Sequence, residues 1–277
     1  MFKFKLLCVF LFLHTAVNAG DIIYTTTDSL IVEKIIAELS ADKPVATLVV
    51  EAGKALLGTL YVGQTLENGK EERLVINLRE LDCTTFAENC LAFALTAKSE
   101  LPDFNTFVQK IEKIRYRNGI RNGYLSRLHY FSEWIRENNL RGHVKEPLSM
   151  FGEPFRIQVN FMSTHPNSYP VLKENPALVP LLSEQEKALA SFEYFFLKKE
   201  NIRSNEKMLK EGDIVGLTTS IAGLDVTHVG ILIKVEGRIH LLHASSDLEK
   251  VVISDEPLYN YLQKKKSHTG IILARPE

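Results

Sequence analysis

The side chains whose types and spacing could do chemistry are two cysteines seven residues apart, Cys83 and Cys90 in "LDCTTFAENC" (81–90), and two histidines further on, His228 and His243. A cysteine pair can form a disulfide, hold a metal, pack in a core or supply a thiolate. The apolar run 84–97, "TTFAENCLAFALTA", predicts a buried helix. On such a helix a seven-residue separation puts the two Cα atoms about 10 Å apart at about 1.5 Å per residue, beyond the roughly 7 Å that a disulfide can bridge. A zinc site fares no better: Cys-x6-Cys is not a usual zinc spacing, and His240 and His243 sit three apart on a predicted strand, facing opposite ways. Packing and catalysis remain. Cys90, among Ala87, Leu91 and Ala94, reads as a small core residue. Cys83 stands where a short strand-to-loop segment meets the helix start, and there free N–H groups and the helix dipole favour a thiolate with a lowered pKa. By position alone a structural thiol is as good a reading as a nucleophile, so a base has to be found.

A predicted hairpin supplies one. In "HVGILIKVEGRIHLLHAS" (228–245) a two-residue loop at Glu236-Gly237 pairs Val235 with Arg238, Ile233 with His240 and Gly230 with His243. Opposed residues share a face, and so does residue i−2. His228 and His243 then become diagonal neighbours roughly 7–8 Å apart at Cα, with Gly230 leaving space beside them and His240 on the other face. Both could be satisfied structural histidines. Two on one face, with a helix-start cysteine elsewhere, favour a thiol whose proton one imidazole takes while a second polar group orients that imidazole.

The elements that must position these groups change character along the chain. "DSLIVEKIIAEL" and "VATLVVEAGKALLG" predict two helices, "RLVINL" a short strand, and "FNTFVQKIEKIRYR" and "RLHYFSEWIRENN" two more helices after the cysteine helix. "STHPNSYPVLKENPALVP" (163–180) reads as a long surface excursion and "EQEKALASFEYFFLKKE" (184–200) as a return to helix. After Gly212, "DIVGLTTS", "HVGILIKV", "RIHLLHAS" and "KVVIS" predict an antiparallel sheet. A helix, "EPLYNYLQKKK", follows with Lys264–Lys266 at its C-terminal end, and then a last strand, "GIILARP". The plan is α+β, with no internal repeat.

The N-terminus, "MFKFKLLCVFLFLHTAVNAG", has Lys3 and Lys5 ahead of a short apolar run and small residues before Gly20, the pattern of a secretory signal peptide cleaved near Ala19-Gly20. Cys8 leaves with it. The run is too short to anchor the chain in a bilayer, and no later segment approaches about 18 continuous apolar residues. The expectation is a protein secreted or released to the periplasm without a membrane anchor. Over 277 residues the formal net charge is −1, a poor match to nucleic acid. With 45% hydrophobic and 24% charged residues, the chain can bury a sizeable core. A monomer without metal or other cofactor is the expectation.

"GTLYVG" (58–63), "LDCTTFAEN" (81–89), "EGDIVGL" (211–217), "LDVTHVGILI" (224–233) and "HLLHASS" (240–246), in that order and spacing, resemble the NlpC-type papain-like cysteine hydrolases of bacterial cell walls. With "SRLHYFSEWI" (126–135), the likeness is closer to their N-acetylmuramoyl-L-alanine amidase-like branch and covers roughly residues 45–275. The resemblance implies one papain-like catalytic domain over 20–277, its antiparallel sheet packed on the cysteine-bearing helix, with a helical lobe inserted at roughly 100–205. It makes Cys83 the nucleophile, His228 the general base and His243 the orienting third member. Tyr61 matches an active-site tyrosine, although Leu60 stands where the family usually has Pro; a core aromatic is the competing reading. Thr84, beside the nucleophile, falls on the substrate side with Tyr61. The basic stretch 109–130 is either a solvated helix pair or a binding face for muropeptide carboxylates, with Arg127 the first candidate to hold one. The implied reaction is hydrolysis, through a thioester, of the amide joining N-acetylmuramic acid to L-Ala. A stem-peptide endopeptidase and a non-catalytic wall-binding module are the alternatives.

Overall fold

The computed structural model describes residues 22–67, 69 and 71–277; the signal-peptide reading of residues 1–19 lies outside them. The centre is a ten-stranded sheet in which the strands run in the order Glu80–Leu81, Leu60–Tyr61, Lys250–Ile253, Arg238–Ser245, Val226–Val235, Ile214–Thr219, His268–Pro276, Tyr194–Lys198 and Glu153–Phe155, while Val144–Lys145 pairs with the far end of His268–Pro276. Apart from the parallel pair Leu60–Tyr61 and Glu80–Leu81, its ladders are antiparallel. This is a mixed α+β protein. Among the described residues no helix is long and apolar enough to cross a membrane.

The predicted hairpin forms in the expected register, with Val235 opposite Arg238 and Ile233 opposite His240. Glu236 (φ 50°) and Gly237 (φ 79°) both take the left-handed conformation that a tight two-residue turn requires. The cysteine helix, Cys83–Ala97, is buried nearly all round, which explains its lack of a polar face. It packs on the hairpin and on the helix Val45–Ala55, burying Phe86, Cys90, Leu91 and Phe93 in the main core. Phe104–Arg115 covers it from another side, tied by a buried ion pair: Arg115 Nε donates to Glu88 Oε2 at 2.7 Å, and Arg115 Nη1 to the Val75 carbonyl at 2.8 Å.

Three expectations change. The stretch 184–200 is not one helix: Leu178–Leu189 is helical, but the aromatic run Tyr194–Lys198 becomes a strand between His268–Pro276 and Glu153–Phe155. The excursion 163–180 is a chain of short helical turns that buries Val171 and Leu172. The segment 100–205 is not helical throughout, nor a lobe throughout. Phe107, Ile111, Ile114 and Trp134 belong to the main core, whereas Tyr130, Ile157, Met162, Leu172, Leu182 and Leu189 form a separate cluster.

Replacing Glu88 by Ala leaves Arg115 buried without its carboxylate, so the loss of stability is expected to be about 3–5 kcal/mol. Urea unfolding followed by circular dichroism measures it, with Glu88→Gln expected to lose less.

Candidate active site

Cys83 is the first residue of its helix because the strand Glu80–Leu81 ends at Asp82, whose extended backbone (φ −92°, ψ 178°) starts the helix. Asp82 Oδ1 accepts from the Thr85 N–H at 2.7 Å and Thr85 Oγ1 from the Asp82 N–H at 2.9 Å, a reciprocal cap that fixes where the helix begins. The sulfur therefore sits at the helix start, part-buried, with the Thr84 hydroxyl 4.0 Å away and the backbone N–H of Val229, the residue after His228, among the groups that favour its anion. Cys90, two turns deeper, is fully buried, and both thiols are free.

His228 and His243 meet edge to face, with Nε2 of His228 2.6 Å from Nδ1 of His243. If His228 is to take a proton on Nδ1, its Nε2 must carry the hydrogen and donate to His243. His243 is buried, packed edge-on against the Tyr261 ring. His240 faces the other way and bonds to the Ser254 carbonyl at 2.8 Å.

Burial, and then the neighbouring Asp82 carboxylate, push the Cys83 thiol up to about 11, against the N–H groups and the Thr84 hydroxyl that favour its anion. The lowered pKa expected from the helix end alone is thus overridden: the cap that starts the helix is itself an anion. Burial pulls His228 down to about 3 and His243 down to about 4. At rest the pair is neutral thiol and neutral imidazole.

A cavity of about 210 Å³ opens at the sulfur, lined by Cys83, Thr84 and His228, by the aromatic side chains of Tyr124, Phe131, Trp134 and Tyr169, and by Glu67 and Asp225. Tyr61 stands next to this centre on the strand paired with Leu81, and its phenol is pushed up to about 12 by burial and by Cys83 and Asp82. A second cavity, also about 210 Å³, reaches Thr227 and His228 but not Cys83, and is lined by Ser246, Tyr261, Lys265 and His268. Among the described residues no cluster of three or more His, Cys, Asp or Glu side chains could hold a metal.

Arg127 has a different place from the one expected. Its guanidinium meets Glu72 through Nε at 3.0 Å and Nη2 at 2.7 Å, and Glu67 through Nη1 at 2.7 Å. Two of the protein's own carboxylates occupy it, so it is not open to a substrate carboxylate. Arg115 is likewise engaged by Glu88, and Arg117 by Glu133 at 2.6 Å. Sequence reasoning missed Glu67, Tyr124, Tyr169 and Asp225. Glu67 lies in "TLENGKEER", which has the look of an ordinary charged turn, whereas its partner Arg127 belongs to the basic stretch 109–130.

The sequence pattern of the AmiA-like family, described as N-acetylmuramoyl-L-alanine amidase-like, matches residues 51–271. The chain belongs to that family. An N-acetylmuramoyl-L-alanine amidase from Bacteroides uniformis is 35% identical over 84% of this chain and 99% of its own, with a TM-score of 0.81. A Bacteroides fragilis protein described as a xylanase is 40% identical over 81% of this chain and 98% of its own, with a TM-score of 0.77. A Legionella pneumophila protein of the DUF1460 family, 18% identical over 90% of this chain and 94% of its own, shares the fold at a TM-score of 0.67. Among curated proteins no similar chain is found.

Alkylation of Cys83 by iodoacetamide is expected to accelerate about tenfold per pH unit from neutrality towards pH 11. A plateau reached below pH 8 would instead mean a preformed thiolate. The unfolded histidines titrate near 6.5 and the folded His228 and His243 near 3 and 4, so unfolding takes up protons in between. Their contribution to stability is complete above 6.5 and is lost as the pH falls towards 3, which thermal melts across that range will show.

Proposed function

We propose that this amidase-family protein is a cysteine hydrolase of the NlpC-type, papain-like kind that cuts the amide between N-acetylmuramic acid and L-Ala in peptidoglycan fragments, outside the cytoplasm. The observation that carries the reading is the pairing of a helix-start thiol with an imidazole in one cavity, the imidazole held from behind by a second histidine at 2.6 Å.

His228 Nδ1 takes the Cys83 proton as sulfur attacks the carbonyl carbon, so charge develops only as the bond forms. The N–H of Cys83, first in its helix and without an intrahelical acceptor, is a donor for the oxyanion. Tyr61, kept as a phenol, is a second donor beside the nucleophile. His243 accepts from His228 Nε2–H and stabilises the transient imidazolium without adding a negative charge of its own. The proton then passes from His228 to the leaving nitrogen, the C–N bond breaks and a thioester remains on Cys83. Water, deprotonated by His228, releases the acid and restores the thiol.

The two cavities support the direction of cleavage. The acyl half stays on sulfur and must occupy the cavity that Cys83 lines, whereas the departing amine needs only His228, which both cavities share. Aromatic walls in the first suit a sugar, and Lys265 in the second suits an anionic stem peptide. A glycosidase reading needs two working carboxylates. Here Asp225 has its oxygens taken by the Ser132 and Val226 N–H groups, both at 2.8 Å, which leaves Glu67 without a second carboxylate in the cavity to work with.

Mass spectrometry of N-acetylmuramoyl-L-Ala-D-Glu peptides after incubation is expected to show free N-acetylmuramic acid and intact peptide, with Cys83→Ala reducing the rate by about 10³-fold or more. Sugar-bearing fragments shortened within the peptide would mean an endopeptidase instead. Hydrolysis of xylan that survives Cys83→Ala would overturn the thiol mechanism.

A further inference from the structure

The Cys83 cavity contains an acceptor that the chemistry above does not use. Glu67 lines it, and its side chain is only 10% exposed. Its Oε1 accepts from Arg127 Nη1 at 2.7 Å, while its Oε2 is buried and has no hydrogen-bond partner among the described residues. The side chain is not free to seek one. Arg127 is fixed by two bonds to Glu72, and Glu72 also accepts from the Tyr116 phenol at 2.7 Å. A buried carboxylate oxygen left without a donor is costly, so it is a position at which a ligand can supply what the fold withholds. Two donors that line the same cavity, the Tyr124 hydroxyl and Trp134 Nε1, likewise have no partner among the described residues.

We propose that Glu67 is a specificity-determining residue for the acyl half of the substrate, its Oε2 accepting a hydrogen bond from a hydroxyl or acetamido N–H of the muramic sugar. The assignment rests on the reading that the sugar occupies the Cys83 cavity. One acceptor, two donors and flanking aromatic rings match a pyranose, which offers apolar C–H faces and polar edges together, and the cavity volume far exceeds the roughly 10–15 Å³ that a single water needs. An unbranched apolar acyl group would leave all three polar atoms unpaired.

The test is calorimetric titration of N-acetylmuramoyl-L-alanine, and of analogues in which one hydroxyl or the acetamido group is replaced by hydrogen, into Cys83→Ala protein. One analogue, lacking the group that Glu67 contacts, is expected to bind about tenfold more weakly or worse. Glu67→Gln, which retains an oxygen for Arg127, should weaken the parent ligand by a similar factor and that analogue no further. Parent and analogues binding equally, or losses that simply add, would overturn the proposal. So would no binding of the parent, or a Glu67→Gln effect confined to free peptides that carry an ammonium and no sugar. The analogue series needs no variant at Glu67, so a folding defect in Glu67→Gln cannot mask the answer. If Cys83→Ala binds the sugar ligands as expected while the unaltered protein fails to cleave the amide, the proposed reaction fails and the role of Glu67 stands.

Discussion

The candidate site depends on one register. The strands Val226–Val235 and Arg238–Ser245 pair with Leu242 opposite Ile231, which brings His243 up against Gly230 and within reach of the His228 ring. A shift of one residue would turn one imidazole to the opposite face. The turn fixes the register from one end, since Glu236 and Gly237 each hold a positive φ. The neighbouring strands fix it from the sides, with Leu217 opposite His228 and Val252 opposite His243. Gly230 is part of the same constraint: a Cβ there would come within 2.6 Å of Leu241 and 3.1 Å of the His243 Cβ. The cysteine helix then has only to pack on this hairpin for Cys83 and His228 to line one cavity.

Around that register the chain buries its charges in partnered groups. Glu88 with Arg115 joins the cysteine helix to the helix that covers it; Arg127 with Glu67 and Glu72 ties the loop after Tyr61 to the segment before Phe131; Arg275 with Asp213 ties the last strand to the residue that leads into Ile214–Thr219. Buried pairs of this kind contribute little net stability compared with apolar replacements, but an unpaired member is expensive. They therefore penalise any arrangement in which the loop bearing Glu67 lies elsewhere, and the cavity wall is specified along with the fold.

How much of this was legible in the sequence follows from the range of the forces involved. The cysteine helix, the hairpin and its turn were readable because each is a local pattern: a continuous apolar run, and two β-runs joined at Glu-Gly. The His228 and His243 pairing followed from counting residues across that turn. The strand Tyr194–Lys198 was not readable as such, since its aromatic run follows directly on a helical pattern and only its partners decide its state. The role of Arg127 was lost for a similar reason. The sequence exposes its charge but not the two carboxylates 55 and 60 residues earlier that surround it. The thiol pKa was misjudged because the helix dipole is visible in a sequence, whereas burial depth is not.

The resting state of the site also bears on chemical durability. Oxidation of a cysteine begins from the thiolate, and a thiol held near 11 presents about one ionised sulfur in ten thousand at neutral pH. Peroxides and disulfides then meet a poor nucleophile. Cys90, sealed in the core two turns away, is not placed to resolve a sulfenic acid if one forms. A sulfur that keeps its proton at neutral pH is therefore slow to oxidise.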